Sequence, residues 1–203
     1  MAKQIAVKFN LFSPLDQSLF HKTKPFPHLI IPNFLDPATA KKLSKELLNE
    51  LFEEKKADLF HFYQTKDLIS SDNKFIQEFR QALLSSELIN ALQQITGKKL
   101  SSKNIDLFGS LYQDTHFLLP HDDQLEGRAI AFMIYLSDLS EEDGGACALY
   151  DSKNNQPTTI TKRIIPKFND FVFFEVSTKS FHEVEEVVGK SQRLAVSGWF
   201  LHA

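Results

Sequence analysis

The chain has 203 residues, 42% of them hydrophobic and 24% charged. This composition excludes a disordered chain and a coiled-coil rod, and the length suits one substantial domain rather than two. A formal net charge of −3 offers no overall attraction to nucleic acid or to an anionic membrane, so neither is expected as a direct partner.

Residues 1–10 hold no long apolar stretch and no small-residue cleavage site, so no secretory leader is expected. Residues 25–35 are apolar but broken by Pro25, Pro27 and Pro32. Proline lacks the donor that a central strand needs, which predicts an edge strand followed by a turn. Asp36-Pro37 then supplies an N-cap and a first-turn proline. Behind it Ala40, Leu43, Leu47, Leu48 and Leu51 recur at helical spacing, predicting one amphipathic helix over about 37–55 with residues 53–56 as its solvated end. Residues 58–68 read as irregular. Two more helices are predicted, over 74–84 and from a Ser86 N-cap to Gly97, a residue suited to a left-handed stop. After residue 105 short apolar runs follow one another at 108–112, 130–136, 146–150, 158–164, 171–175, 181–188 and 194–201, separated by turn residues. Helices over about 1–104 and strands over about 105–203 make an α+β chain with an antiparallel sandwich or barrel core. Nineteen Phe against one Trp and four Tyr predict that this core is rich in aromatic rings.

Cys147 is the only cysteine, so an intramolecular disulfide and a multi-thiolate zinc site are both ruled out; a reducing, cytoplasmic setting is expected. The residue itself reads as a small buried hydrophobe. No run approaches the roughly 18 apolar residues of a membrane-spanning helix.

The chemistry-bearing residues lie in the β half. In His121-Asp122-Asp123 the first and third residues can face one ion while Asp122 points away. That pair alone is a weak signal. His182 supplies a third donor 59 residues after Asp123, and two histidines with one carboxylate form the facial set of non-haem Fe(II) oxygenases. Arg193 opens the apolar run Arg-Leu-Ala-Val-Ser-Gly-Trp-Phe and needs an anionic partner if its head is buried. A dicarboxylate with one end on iron and the other on Arg193 meets both needs, and 2-oxoglutarate is such a molecule.

The stretch from His121 to Leu136 resembles the iron-binding segment of the 2-oxoglutarate- and Fe(II)-dependent prolyl hydroxylases, nearest to the ribosomal prolyl 3-hydroxylase branch. Residues 58–68, 171–177, 180–187 and 193–200 resemble the same branch, so the likeness spans about 25–203. It implies a double-stranded β-helix (jelly-roll) core backed by N-terminal helices, in a single catalytic domain over 1–203. It implies His121, Asp123 and His182 as iron ligands and Arg193 as the partner of the far carboxylate of 2-oxoglutarate. It also implies that Tyr135 hydrogen-bonds that carboxylate and that Tyr112 lies on the co-substrate side. The implied cofactors are Fe(II), 2-oxoglutarate and O₂, with ascorbate as a candidate reductant. The implied substrate is a prolyl residue of a protein, with a ribosomal or translation-related protein as the leading candidate. Two alternatives stay open: a binding or sensor module on the same fold, and a hydroxylase of a free amino acid or other small molecule.

Ala195 stands where many relatives carry serine two residues after the arginine, and Ser197 lies on the same strand face one pleat further on. Eukaryotic members add a second, silent β-helix domain; the chain stops at Ala203, so that domain's contribution is expected to be absent. Asp122 and Arg128 are expected to form a structural ion pair, and His28, His61 and His116 to be surface or turn residues. Residues 58–68 and 114–120, with Phe60, Tyr63, Gln64, His116 and Phe117, are expected to border the entrance and meet the substrate.

Overall fold

The structure, a computed structural model, describes Val7, Phe9, Asn10 and residues 18–203. Most of the segment considered for a leader lies outside the described residues.

The strands are β1 (His28–Ile31), β2 (Phe52–Ala57), β3 (Phe60–Thr65), β4 (Leu100–Tyr112), β5 (Phe117–His121), β6 (Arg128–Tyr135), β7 (Cys147–Lys153), β8 (Gln156–Ile164), β9 (Phe171–Glu175), β10 (His182–Val184) and β11 (Arg193–His202). The helices are α1 (Pro37–Leu47), α2 (Lys74–Leu83) and α3 (Ser86–Thr96). The strands form one antiparallel ladder in the order β1-β9-β6-β11-β4-β3-β5-β10-β7-β8, with β2 added on β3. Strand β3 bends between two partners: its residues 63 and 64 pair with β4, and 60 and 61 pair with β5. The ladder thereby folds over on itself as a jelly-roll half-barrel, with β1-β9-β6-β11-β4 facing β5-β10-β7-β8.

Strict alternation builds the two faces of the larger sheet. Ile130, Ile134, Phe171, Phe173, Leu194, Val196 and Phe200 point out, against Leu43, Phe79, Leu88 and Leu92 of the helices. Ala131, Met133, Tyr135, Val172, Phe174 and Ala195 point into the barrel, where Cys147 and Leu149 of β7 meet them. The many phenylalanines therefore serve mainly the layer between sheet and helices. Phe34 stacks on Phe171 at 4.3 Å and Phe132 lies 4.8 Å from Phe200. Gly198 lets β4 and β11 approach, since a Cβ there would stand 2.0 Å from the Asp106 carbonyl oxygen.

Local signals at the helix ends hold. Asp36 caps α1 through Ala38 and Thr39 with Pro37 behind it, and Gly97 ends α3 at a φ of 69°. The cap of α3 is Ser85, one residue before the expected Ser86. β1 pairs only with β9 and is the edge strand expected around residues 25–35.

The expectations of a helix over 37–55 and an irregular segment over 58–68 need correcting. Helix α1 stops at Leu47, and residues 52–57 form β2, which pairs residue for residue with β3 from Phe52–Thr65 to Ala57–Phe60. The charged run 53–56 has good helix propensity, but cross-strand pairing with 60–65 outweighs it. Residues 58–68 are thus largely strand rather than irregular. Phe62 stacks on Tyr112 at 4.9 Å, in a small cluster with Val184 and Val187 that pins the hairpin to the barrel. Among the described residues no helix is long and apolar enough to cross a membrane.

Candidate active site

One strand sets the axis of the site. Arg193, Ala195, Ser197 and Trp199 alternate along the inner face of β11, so at about 3.3 Å per residue they span roughly 20 Å of cavity wall. Arg193 is 1% exposed. Its Nη2 donates to Tyr135 Oη at 3.4 Å and approaches Met133 Sδ at 3.6 Å, and its Nε has no partner. The guanidinium carbon lies 5.0 and 5.1 Å from the Tyr135 and Tyr112 ring centroids. Among the described residues no carboxylate pairs with it. A buried cation without an anion is expensive to keep, so this end of the cavity fits a ligand carboxylate. Burial raises the pKa of both tyrosine hydroxyls, which stay protonated and able to donate. Burial likewise pushes the Cys147 thiol up to about 12, as befits the inert hydrophobe expected from the sequence. Ser197 does not reach toward Arg193 in place of Ala195, because its hydroxyl is 3.2 Å from that of Ser110.

The three expected donors come together nearer the mouth. His121 ends β5 and pairs with His182 of β10, their rings 4.2 Å apart. Asp123 follows in the β5–β6 loop at a φ of 62°, in the left-handed region that aspartate tolerates better than most residues. Its carboxylate therefore reaches the histidines through a turn, not through strand alternation. Asp123 Oδ1 is 3.5 Å from His121 Nε2 and Oδ2 is 3.5 Å from His182 Nε2, and one ligand atom from each residue falls within 4.8 Å of the others. His121 Nδ1 donates to the Leu119 carbonyl at 2.9 Å and His182 Nδ1 to that of Ser180 at 2.8 Å. Each Nε2 then presents its lone pair to the common point, the tautomer a metal requires. Burial, and His121 beside it, lower the His182 pKa to about 4, keeping it neutral and free to coordinate. The donor set fits a divalent transition metal of the iron type.

Two side chains that the sequence reading did not place in the site hold Asp123. Trp199 Nε1 donates to Asp123 Oδ2 at 3.0 Å. Arg128 pairs with Asp123 Oδ1 at 3.7 Å and with its carbonyl at 3.4 Å. The expected Asp122–Arg128 pair does not form; the Asp122 carboxylate instead accepts from the Gln124 amide at 3.1 Å and shapes the turn.

Arginine end and donor cluster open into one cavity of about 360 Å³. Its outer wall carries Phe60, Phe62 and Gln64 of β3, Leu118 of β5 and Lys55 of β2. Strand alternation turns His61 and Tyr63 the other way. His61 bonds to Glu54 at 2.8 Å and lies against His116 at 4.0 Å, with Tyr63 5.3 Å from His116. Of the expected entrance residues, Phe60 and Gln64 face the cavity, while Tyr63, His116 and Phe117 do not line it. His28 is buried on β1, contrary to the surface or turn position expected for it, while His116 closes a turn, its amide donating to the Gln113 carbonyl at 2.9 Å, but is buried rather than exposed.

Residues 107–201, which hold all of these donors, match the 2OG-Fe(II) oxygenase superfamily. The chain is 39% identical over 205 residues to mouse "Prolyl 3-hydroxylase OGFOD1", covering 98% of this chain and 37% of the mouse protein. It is 31% identical over 187 residues to Drosophila melanogaster "Prolyl 3-hydroxylase sudestada1", covering 87% of this chain and 34% of that one. The chain thus spans little more than a third of the curated relatives it matches. A Pseudomonas putida prolyl-4-hydroxylase superposes with a TM-score of 0.73 at 17% identity, over 93% of this chain and 99% of that one. A Trichoplax adhaerens prolyl hydroxylase in complex with a hypoxia inducible factor peptide fragment gives 0.72 at 17% identity, over 93% and 89%. Both likenesses bear out the jelly-roll fold.

Proposed function

We propose that the chain is a 2-oxoglutarate- and Fe(II)-dependent dioxygenase domain that hydroxylates a prolyl residue of a protein. The observation that carries the reading is a buried Arg193, with no carboxylate partner among the described residues, sharing one cavity with a His-Asp-His cluster. His121, Asp123 and His182 would hold the iron. Arg193 would bind the far carboxylate of 2-oxoglutarate as a charge-assisted pair, and the protonated Tyr135 hydroxyl would donate to it. Tyr112 walls the guanidinium on its other side and, capped by Phe62, keeps water from that end. Fe(II), when bound with 2-oxoglutarate and O₂, supplies the oxidising power to place oxygen on a C–H bond while 2-oxoglutarate becomes succinate and CO₂. The chain's own work is orientation and dryness. Ascorbate completes the reading as an external reductant, and a cytoplasmic setting suits the lone buried thiol.

The protein substrate and the prolyl target rest on the relatives named prolyl 3-hydroxylases, and a ribosomal or translation-related protein on the sequence resemblance. The test is succinate release with Fe(II) and 2-oxoglutarate, joined to mass spectrometry of ribosomes and translation factors from cells with and without the gene. The expected result is a gene-dependent gain of one oxygen on a proline. Tight 2-oxoglutarate binding with no turnover on any fraction would overturn the reading in favour of a sensor.

A further inference from the structure

His121 and His182 are aimed by their own backbones, each with Nδ1 tied to the carbonyl two residues before it. Asp123 has no such device. It sits in a loop, and nothing within that loop fixes the rotation of its carboxylate about Cβ–Cγ. Among the described residues only Trp199 Nε1, from the far end of β11, donates to it at normal hydrogen-bond length, 3.0 Å to Oδ2. Arg128 lies flat on that indole, its guanidinium carbon 3.3 Å from the ring centroid, and its Nη1 stays 3.7 Å from Oδ1. Phe108 backs the indole at 5.5 Å.

We infer that Trp199 is a positioning residue for the metal: its indole N–H fixes the plane of the Asp123 carboxylate, with Arg128 and Phe108 clamping the ring. The chemistry of the donor supports this. A guanidinium bonded directly to the carboxylate would repel the incoming cation, whereas a neutral N–H takes one lone pair and sets the plane while leaving the anionic charge available. Arg128, stacked on the indole, stays at ion-pair distance, 3.7 Å from Oδ1, rather than at hydrogen-bond length. Packing alone would not need the nitrogen, since a phenylalanine would fill much of the same wall. The inference rests on His121, Asp123 and His182 being a metal site, and it adds to that site the residue that aims its one anionic ligand.

Trp199 is the only tryptophan in the chain, so a tryptophan auxotroph fed 3-benzothienylalanine exchanges one N–H for sulfur at this position and nowhere else. A 5-fluorotryptophan protein keeps the N–H and serves as the control. The readout is the Mn(II) dissociation constant, from the electron paramagnetic resonance of free Mn(II) without co-substrate, alongside the melting temperature. We expect the control to bind like the unmodified protein. The benzothienyl protein should melt normally and bind Mn(II) roughly 10-fold to 100-fold more weakly, the usual cost of losing an outer partner of a metal ligand. Unchanged Mn(II) affinity in the benzothienyl protein, with binding still abolished by Asp123→Ala, would overturn the inference and spare the metal site. Binding that survives Asp123→Ala, or no binding by the unmodified protein, would overturn the site and the inference together. If the benzothienyl protein does not fold, Trp199→Phe carries the same comparison.

Discussion

The two ends of the cavity are built by different means. The arginine end is an extension of the barrel core: Arg193, Tyr135, Tyr112 and Cys147 sit on regular strands, are 3% exposed or less, and owe their direction to alternation. The donor end is assembled from the last residue of one strand, a left-handed loop residue and the first residue of a three-residue strand, and it borrows Trp199 and Arg128 to hold together. The first end is rigid and dry, suited to one small dianion. The second is half-open and bordered by the β2–β3 hairpin, suited to a substrate that arrives from outside. On the proposed function, buried strand positions would hold the invariant ligand, and the loops around the donor cluster would admit the variable one.

The comparison can be broken most sharply at the donor end. His121→Ala, Asp123→Ala and His182→Ala should each abolish 2-oxoglutarate-dependent succinate release, while circular dichroism reports an intact fold, since the barrel does not depend on the ion. Full activity in any one of them would remove that residue from the triad. At the other end Arg193→Ala should weaken 2-oxoglutarate binding by about 2–5 kcal/mol, roughly 30-fold or more in apparent KM. Arg193→Met should also raise the melting temperature without co-substrate, because it removes a buried charge that lacks an anion. Phe62→Ala, at the seam between hairpin and barrel, should cost about 3 kcal/mol in denaturant unfolding. An unchanged midpoint would mean that the hairpin is not pinned there.

The dry end also predicts an alkaline limit. The Cys147 thiol is raised by burial from 9.0 to about 12. The unfolded chain gives up that proton near its ordinary pKa and the folded chain keeps it, so its share of stability is complete below pH 9 and falls away toward pH 12. Melting temperature should be flat from pH 7 to 8.5 and decline above pH 9, with native Cys147 resistant to iodoacetamide at pH 8. The smallest effect is Tyr135→Phe, which removes one hydrogen bond to the co-substrate and should cost about 1 kcal/mol in its binding. A loss as large as that of Arg193→Ala would make the tyrosine a principal anchor.

Legibility followed the same division. β9 and β11 were readable as short apolar runs bounded by turn residues, with Arg193 standing out at the head of the second. His121, Asp123, His182 and Arg193 were readable because few chemistries need those types in that order. The β2–β3 hairpin was not readable. Glu53, Glu54, Lys55 and Lys56 continue the helical pattern of 37–47, and only pairing with 60–65 turns them into a strand. β5 escaped notice because its run is short and contains Pro120. Nor could sequence separate Asp122 from Asp123 as the partner of Arg128, because that choice is made by a backbone turn.

By itself the sequence determined the α+β composition, the Asp36 cap of α1 and the Gly97 stop of α3, the apolar runs that became the long strands and the residue types of the His-Asp-His cluster. All of these follow from local periodicity, capping chemistry and the rarity of a buried arginine among apolar neighbours. Tertiary structure decided what depends on contacts distant in sequence. It turned 52–57 into a strand, buried His28 and His116, and faced Phe60 and Gln64 into the cavity while Tyr63 faced out. It also brought the indole of Trp199 to a carboxylate 76 residues earlier in the chain. A residue's type and spacing say what bond it can make, but which partner it meets is set by the sheet register that places the two strands side by side.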